Sequence, residues 1–168
     1  MDKINLQKQT CYKINLPSEN DLDKALEECA NFSMFNSVSN IIDSFSFDSE
    51  KYDNLHLCKY VEKYNLDKSL IFFYTSMKNL PISKLSVKQK IILSVIKNIQ
   101  YDCIIISLEA LSERTKLYLI FISYFLTDYK GFKTFIFLDF STLKITYEKI
   151  EVKILEPSWL EKPALAAL

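Results

Sequence analysis

The 168-residue chain contains a single glycine, Gly131, where an average usage of about 7% would give roughly twelve. That scarcity excludes a glycine-rich phosphate loop and a dinucleotide fingerprint, because backbone N–H groups converge on phosphate through conformations that a Cβ obstructs. Arginine is equally rare. Arg114 stands alone among 21 basic residues, which disfavours bidentate reading of phosphates or bases. The one histidine, His56, lies two residues from Cys58, and spacing brings no further ligand to the pair, so no metal site is expected. Cys11, Cys29, Cys58 and Cys103 form no CxxC motif, and free thiols in a reducing compartment are the expectation. The longest apolar run, Leu117 to Leu126, is interrupted by Ser123 and falls far short of the ~20 residues of a membrane span. Net charge is zero, with 21 basic against 21 acidic residues, so no global field gathers nucleic acid or an anionic membrane. Met1-Asp2-Lys3-Ile4-Asn5 has no apolar run behind it, and a cytoplasmic protein is expected.

Apolar residues make up 49% and charged residues 25%, which suits a folded globular unit and not a disordered one. A chain of this length buries about 70% of its unfolded surface as one domain. Charge is uneven along it: residues 1–70 hold 8 lysines and 12 acids, residues 71–168 hold 13 basic and 9 acidic groups. Solvated faces of uneven sign account for this. Many of the 22 Tyr and Phe residues lie in Leu70 to Tyr74 and Tyr118 to Phe140, but the Leu117 to Leu126 run carries no interleaved base, so a nucleic-acid stacking platform is disfavoured. The Leu117 to Leu126 run, apolar on all sides, reads as core or as a docking face.

Pattern and punctuation divide the chain into elements. Ile4 to Leu16 alternates loosely, as one or two short strands ended by Pro17, and Ser18-Glu19-Asn20-Asp21 opens a helix through Cys29 with a capping-box pattern. Phe32 to Asp43 is expected to lead into a short helix, and Asp48 to Leu66 into a longer one with Leu55, Cys58 and Val61 on one face. Leu70 to Phe73 fits either a strand or a helix end, closed by Pro81. Ser86 caps the clearest helix, with Val87, Ile91, Ile92, Val95, Ile96 and Ile99 at helical spacing. Ile104 to Leu108 is a β-branched run suited to a strand buried on both faces. A helix over 112–129, a turn at Gly131 and a second buried strand over 135–138 complete a strand–helix–strand unit, which predicts a parallel pair. Leu143 to Tyr147 and Ile150 to Ile154 read as two further short strands, and Pro157 begins a tail whose last residues, Pro163 to Leu168, are too simple to be core.

The stretch Ile82-Ser83-Lys84-Leu85-Ser86-Val87-Lys88-Gln89-Lys90 resembles the LSGGQ signature of ABC ATPases without its two glycines. Tyr101 to Ser112 is similar to the Walker B strand and the turn after it, keeping Glu109 of the acidic pair and replacing the aspartate by Leu108. Phe132 to Ser141 is similar to the strand carrying the family's switch histidine, with Phe140 in the histidine's place. Ser86 precedes Glu109 by 23 residues and Glu109 precedes Phe140 by 31, close to the family's spacing. Residues 31–42 also look like the segment after the family's Q-loop, with no glutamine there.

The resemblance implies an α/β fold: a reduced P-loop-NTPase, ABC-ATPase-like core with a helical subdomain. It implies one domain over 1–156, with 30–81 as the helical part and 82–156 as signature helix and core strands. Glu109 would stand where the general base sits, yet the P-loop, the Mg²⁺-holding aspartate and the switch histidine are absent, which leaves Glu109 vestigial and no metal. Ser86, Lys88 and Gln89 would face a partner or a nucleotide held in trans, at a helix start whose partial positive charge suits phosphate. A capped core helix accounts for the same three residues with no ligand. The expected function is that of a pseudo-ATPase binding a partner ATPase or transporter subunit, with no cofactor except ATP supplied by a partner's P-loop. The alternative is a scaffold or adaptor of cassette-like architecture, in its extreme form an oligomeric nucleic-acid binder.

Overall fold

A computed structural model of the chain describes residues 10–16, 21, 35–44, 54–129, 131 and 133–140, and the backbone of 152–155. Its centre is a parallel sheet of β1 (Cys11–Asn15), β2 (Val38–Ile42), β3 (Cys103–Ser107), β4 (Thr134–Asp139) and β5 (Val152–Leu155), in spatial order β2-β3-β4-β1-β5. Side chains of β3 and β4 are buried at every position, as β-branched and aromatic runs covered on both faces require. Alternate residues serve opposite faces. Ile104, Ile106, Phe135 and Phe137 join the helices in one core cluster, while Cys103, Ile105, Ile136 and Leu138 join Tyr12, Ile14, Leu16 and Phe35 in another.

The helices follow the sequence patterns where a cap marks their start. α1 (Leu57–Lys63) and α2 (Tyr74–Met77) are short, whereas α3 (Val87–Lys97) and α4 (Glu113–Leu126) are the long ones. Ser86 accepts from Gln89 N at 3.2 Å and the Gln89 side chain accepts from Ser86 N at 2.9 Å, a complete capping box. Ser112 likewise accepts from Thr115 N and starts α4. After α4 the backbone turns at Gly131 with φ +108°, a conformation that the lone glycine adopts without strain. No described helix is long and apolar enough to cross a membrane.

Three expectations are corrected. Residues 38–42 are not helical but form edge strand β2, whose pairing with β3 shifts register between Val38 and Ile41. There the Ser39 hydroxyl accepts from Ile105 N at 3.1 Å and fills a gap in the ladder, which a helical reading of the Ser/Asn-rich stretch misses. Of the helix expected through residues 48–66, the described part, from Asn54 on, is helical over Leu57–Lys63 alone. Before it, Ile82 N donates to Leu55 O at 2.9 Å and His56 bridges Pro81, so the chain is extended there. After it, Asn65 takes φ 51° and breaks the spiral. Leu70 to Phe73 is neither strand nor helix end: a 3₁₀ turn at Lys68–Leu70 passes through Ile71 and Phe73 into α2. The expected helix over 18–29, apart from Asp21, the strand over 143–147 and the tail lie outside the described residues.

Candidate functional site

The strand order reverses beside β1. From β1 the chain reaches edge strand β2, returns through β3 to β4, and then passes β1 to pair β5 on its other side. Open parallel sheets bind ligands outside the carboxyl ends of their strands at such a reversal. The residues at that position are therefore the first candidates.

In the β1–β4 register Lys13 lies opposite Phe137 and Asn15 opposite Asp139. Lys13 and Asp139 project to the same side, where α4 brings Lys116. Asp139 is wholly buried, and its Oδ2 lies 3.0 Å from Lys13 Nζ while Oδ1 accepts from Lys116 Nζ at 3.1 Å. Lys116 Nζ also donates to Glu113 Oε1 at 3.2 Å, one turn earlier on the helix. Lys13 meets its oxygen as a charge contact and not as an aligned hydrogen bond. Nearby on β1, Asn15 Oδ1 is buried and finds no donor among the described residues.

These charges depend on one another. Burial alone pulls the Lys116 ammonium toward neutrality, but the hydrogen bonds and charges of Asp139 and then Glu113 outweigh it and hold its pKa above the ordinary lysine value. Two ammonium groups at the carboxyl end of a parallel sheet are the kind of group that meets phosphate. Here an internal carboxylate has taken the anion's place.

The residues expected from sequence lie around the same end of the sheet. Glu109 follows β3, half-buried, with its N–H donating to Ser107 Oγ at 3.3 Å, and Ala110 beyond it takes φ 57°. Leu108 is buried and its N–H donates to Leu138 O at 2.8 Å, so it ties β3 to β4. Phe140 packs into the core cluster on the sheet face opposite the helices. At the start of α3, Ser86 and Gln89 are engaged in the capping box, Gln89 Nε2 contacts Met77 Sδ at 3.3 Å, and Lys88 Nζ sits 4.4 Å over the Tyr118 ring. Each of the three has an intramolecular role, and Lys88 is thereby joined to α4. Among the described residues no three His, Cys, Asp or Glu converge as metal ligands, and Cys11, Cys58 and Cys103 are free. Burial pushes the Cys11 thiol up to about 12, which keeps it protonated and inert.

Sequence reasoning missed Lys13, Lys116 and Asp139. A signal was present: Lys13 interrupts an apolar strand between Tyr12 and Ile14, and Lys116 shares the buried face of α4 with Leu119, Ile120 and Ser123. A lysine on an apolar face implies a buried partner.

The second feature of α4 is its outward face. Leu117, Phe121, Tyr124 and Phe125 recur at helical spacing and are exposed, Phe121 by 47% and Phe125 by 64%. Phe121 and Phe125 meet edge to face at 4.8 Å, and exposed Phe72 extends the patch through Tyr118 at 5.8 Å. The all-round apolar run thus divides into one core face and one uncovered aromatic face.

No family model and no curated protein matches the chain. Among solved structures it is similar to a chain described as a metal-chelate type ABC transporter in an inward-facing conformation, with a TM-score of 0.55 and 11% identity. The match covers 81% of this chain and 64% of that one, so the chain spans less than two thirds of its neighbour's length. At such identity the likeness is one of fold: a parallel α/β architecture shared with a chain of an ABC transporter.

Proposed function

We propose that this chain is a degenerate ABC-type ATPase domain that does not hydrolyse nucleotide and acts by binding a protein, either a complete ATP-binding cassette or a transporter's membrane subunit. The observation that carries the binding half is the uncovered aromatic face of α4, Leu117, Phe121, Tyr124 and Phe125. Contiguous exposed aromatics on a folded surface mark interaction sites, and aromatic residues anchor such interfaces. The fold neighbour, a transporter chain, makes a transporter-type partner the natural first choice.

Loss of hydrolysis is supported by chemistry at the carboxyl end of the sheet. Asp139 neutralises Lys13 and Lys116 internally, so a phosphate arriving there meets a carboxylate at contact distance from both cations. After β1 the sequence reads Leu16-Pro17-Ser18-Glu19-Asn20, without the glycines of a phosphate cradle. Any nucleotide in the assembly would be held by the partner's P-loop, with Ser86, Lys88 and Gln89 at its edge. Ser86 is exposed and lies in reach of such a partner, although its hydroxyl would have to leave the capping box to touch phosphate.

Co-expression with its co-encoded proteins, followed by light scattering and ATPase assay of the complex, tests this reading. The expected result is a stable complex with a protein that carries its own P-loop or membrane spans, lost when Phe121→Glu and Phe125→Glu are combined. A solitary monomer that changes no partner's ATPase rate would contradict it.

A further inference from the structure

Between Arg114 and Asp128 the outward side of α4 carries no charge, since the one ionic residue in that span, Lys116, is buried against Asp139. Arg114 and Asp128 are themselves exposed. Thr127 keeps helical backbone at φ −58° and ψ −29°, so Asp128 continues the outward stripe one turn past Tyr124. The face thus runs from a cation to an anion across aromatic surface.

Phe121 is its centre. Leu117 and Phe125 stand four residues to either side, Tyr118 and Tyr124 three, and Arg114 and Asp128 seven, all of them spacings that return to one side of a helix. Turning a second copy about a two-fold axis through Phe121 lays the two helices antiparallel. Phe121 then meets itself, Leu117 meets Phe125, Tyr118 meets Tyr124, and each Arg114 meets an Asp128. A parallel arrangement would set arginine on arginine and aspartate on aspartate. The charged ends therefore select one orientation, as flanking charges do beside the apolar seam of paired helices. Exposed Phe72, edge to face with Tyr118 at 5.8 Å, widens the seam where Tyr124 of the second copy would rest.

We infer that in the isolated chain this face is covered by a second copy of the same chain, through an antiparallel two-fold contact between their α4 helices. The inference rests on the reading of the face as a docking surface, and a transporter-type partner would compete with the second copy for it. Phe72, Leu117, Phe121, Tyr124 and Phe125 are each partly exposed and together offer roughly 400–500 Å² per protomer. The pair then buries roughly 800–1,000 Å² in all, the low end for specific interfaces. Reversible association in the micromolar range is the consequence.

Sedimentation velocity of the full chain from about 1 to about 200 μM, a span that brackets micromolar association, tests the inference. A reversible equilibrium of monomer and dimer is expected. Phe121→Glu should abolish the dimer with folding unchanged by circular dichroism, because two carboxylates then meet on the axis. Arg114→Asp and Asp128→Arg should each weaken self-association about three- to tenfold, the scale of exposed ion pairs reversed in sign. An equimolar mixture of those two variants should pair as tightly as the wild type, since both end contacts are complementary again. Should Phe121→Glu fail to fold, the charge variants decide. A chain still monomeric at about 200 μM, a dimer indifferent to Phe121→Glu, or single charge variants that associate like the wild type would overturn the inference. A monomer that nonetheless forms an α4-dependent complex with a P-loop protein would exclude the second copy alone; a dimer with no such complex would remove the transporter-type partner alone.

Discussion

At the carboxyl end of the sheet Lys13 and Lys116 close on Asp139 at 3.0 and 3.1 Å, whereas the outward face of α4 leaves Leu117, Phe121, Tyr124 and Phe125 exposed. The two regions differ in whether the chain supplies its own partner. Where parallel sheets ordinarily receive a ligand, this chain pairs its buried charges internally. On α4 it leaves large aromatic side chains in contact with solvent. Unsatisfied surface, more than position in the fold, marks a place still able to bind.

The largest expected break in this comparison is Asp139→Asn. It leaves two buried ammonium groups facing each other, and denaturant unfolding is expected to register a loss of about 3–5 kcal/mol. A loss below ~1 kcal/mol would mean that water reaches the cluster and that the end is not sealed.

Next in size is Lys116→Met, which removes the donor of two hydrogen bonds, to Asp139 and Glu113, and is expected to destabilise by about 1–3 kcal/mol. No measurable loss in urea melts would mean that the cluster is not paired as described.

The cluster also makes a pH signature. Because the folded-state pKa of Lys116 lies above its unfolded value of 10.5, the stabilisation it gives is fully present below that pH and is lost as pH rises through the folded value. The stability difference between wild type and Lys116→Met should therefore stay flat through neutral pH and shrink only above about 10.5. The smallest expected effect is Ser86→Ala, about 1 kcal/mol from loss of the cap on α3, measured by thermal melting. It gauges how far Ser86 is structural.

Much of the fold was legible in the sequence because it is written in local pattern. Ser86 specified a helix cap, Ile104 to Leu108 and Phe135 to Leu138 specified buried strands, and Gly131 specified the turn that ends the helix between them. The α/β class followed from that order. β2 was not legible, because its ladder is completed by the Ser39 hydroxyl and its Ser/Asn content argues for irregular backbone or caps. The limits of α1 were set at a distance, by Ile82 and Pro81 holding Leu55 and His56 extended.

The candidate sites were less legible, since their members come from separated segments. Lys13, Lys116 and Asp139 are contributed by β1, α4 and β4, and no spacing rule joins them. The residues that did follow a motif, Ser86, Lys88 and Gln89, turned out to share a helix start whose side chains are occupied within the chain. Local apolar pattern thus carried the frame, and three-dimensional charge pairing carried the chemistry.

The central claim, that internal pairing has closed the carboxyl end of this sheet to phosphate, is tested most directly by calorimetric titration of the isolated chain with ATP and Mg²⁺. The account predicts no saturable heat at millimolar nucleotide and no change in melting temperature; saturable binding that weakens in Lys13→Met or Lys116→Met would contradict it.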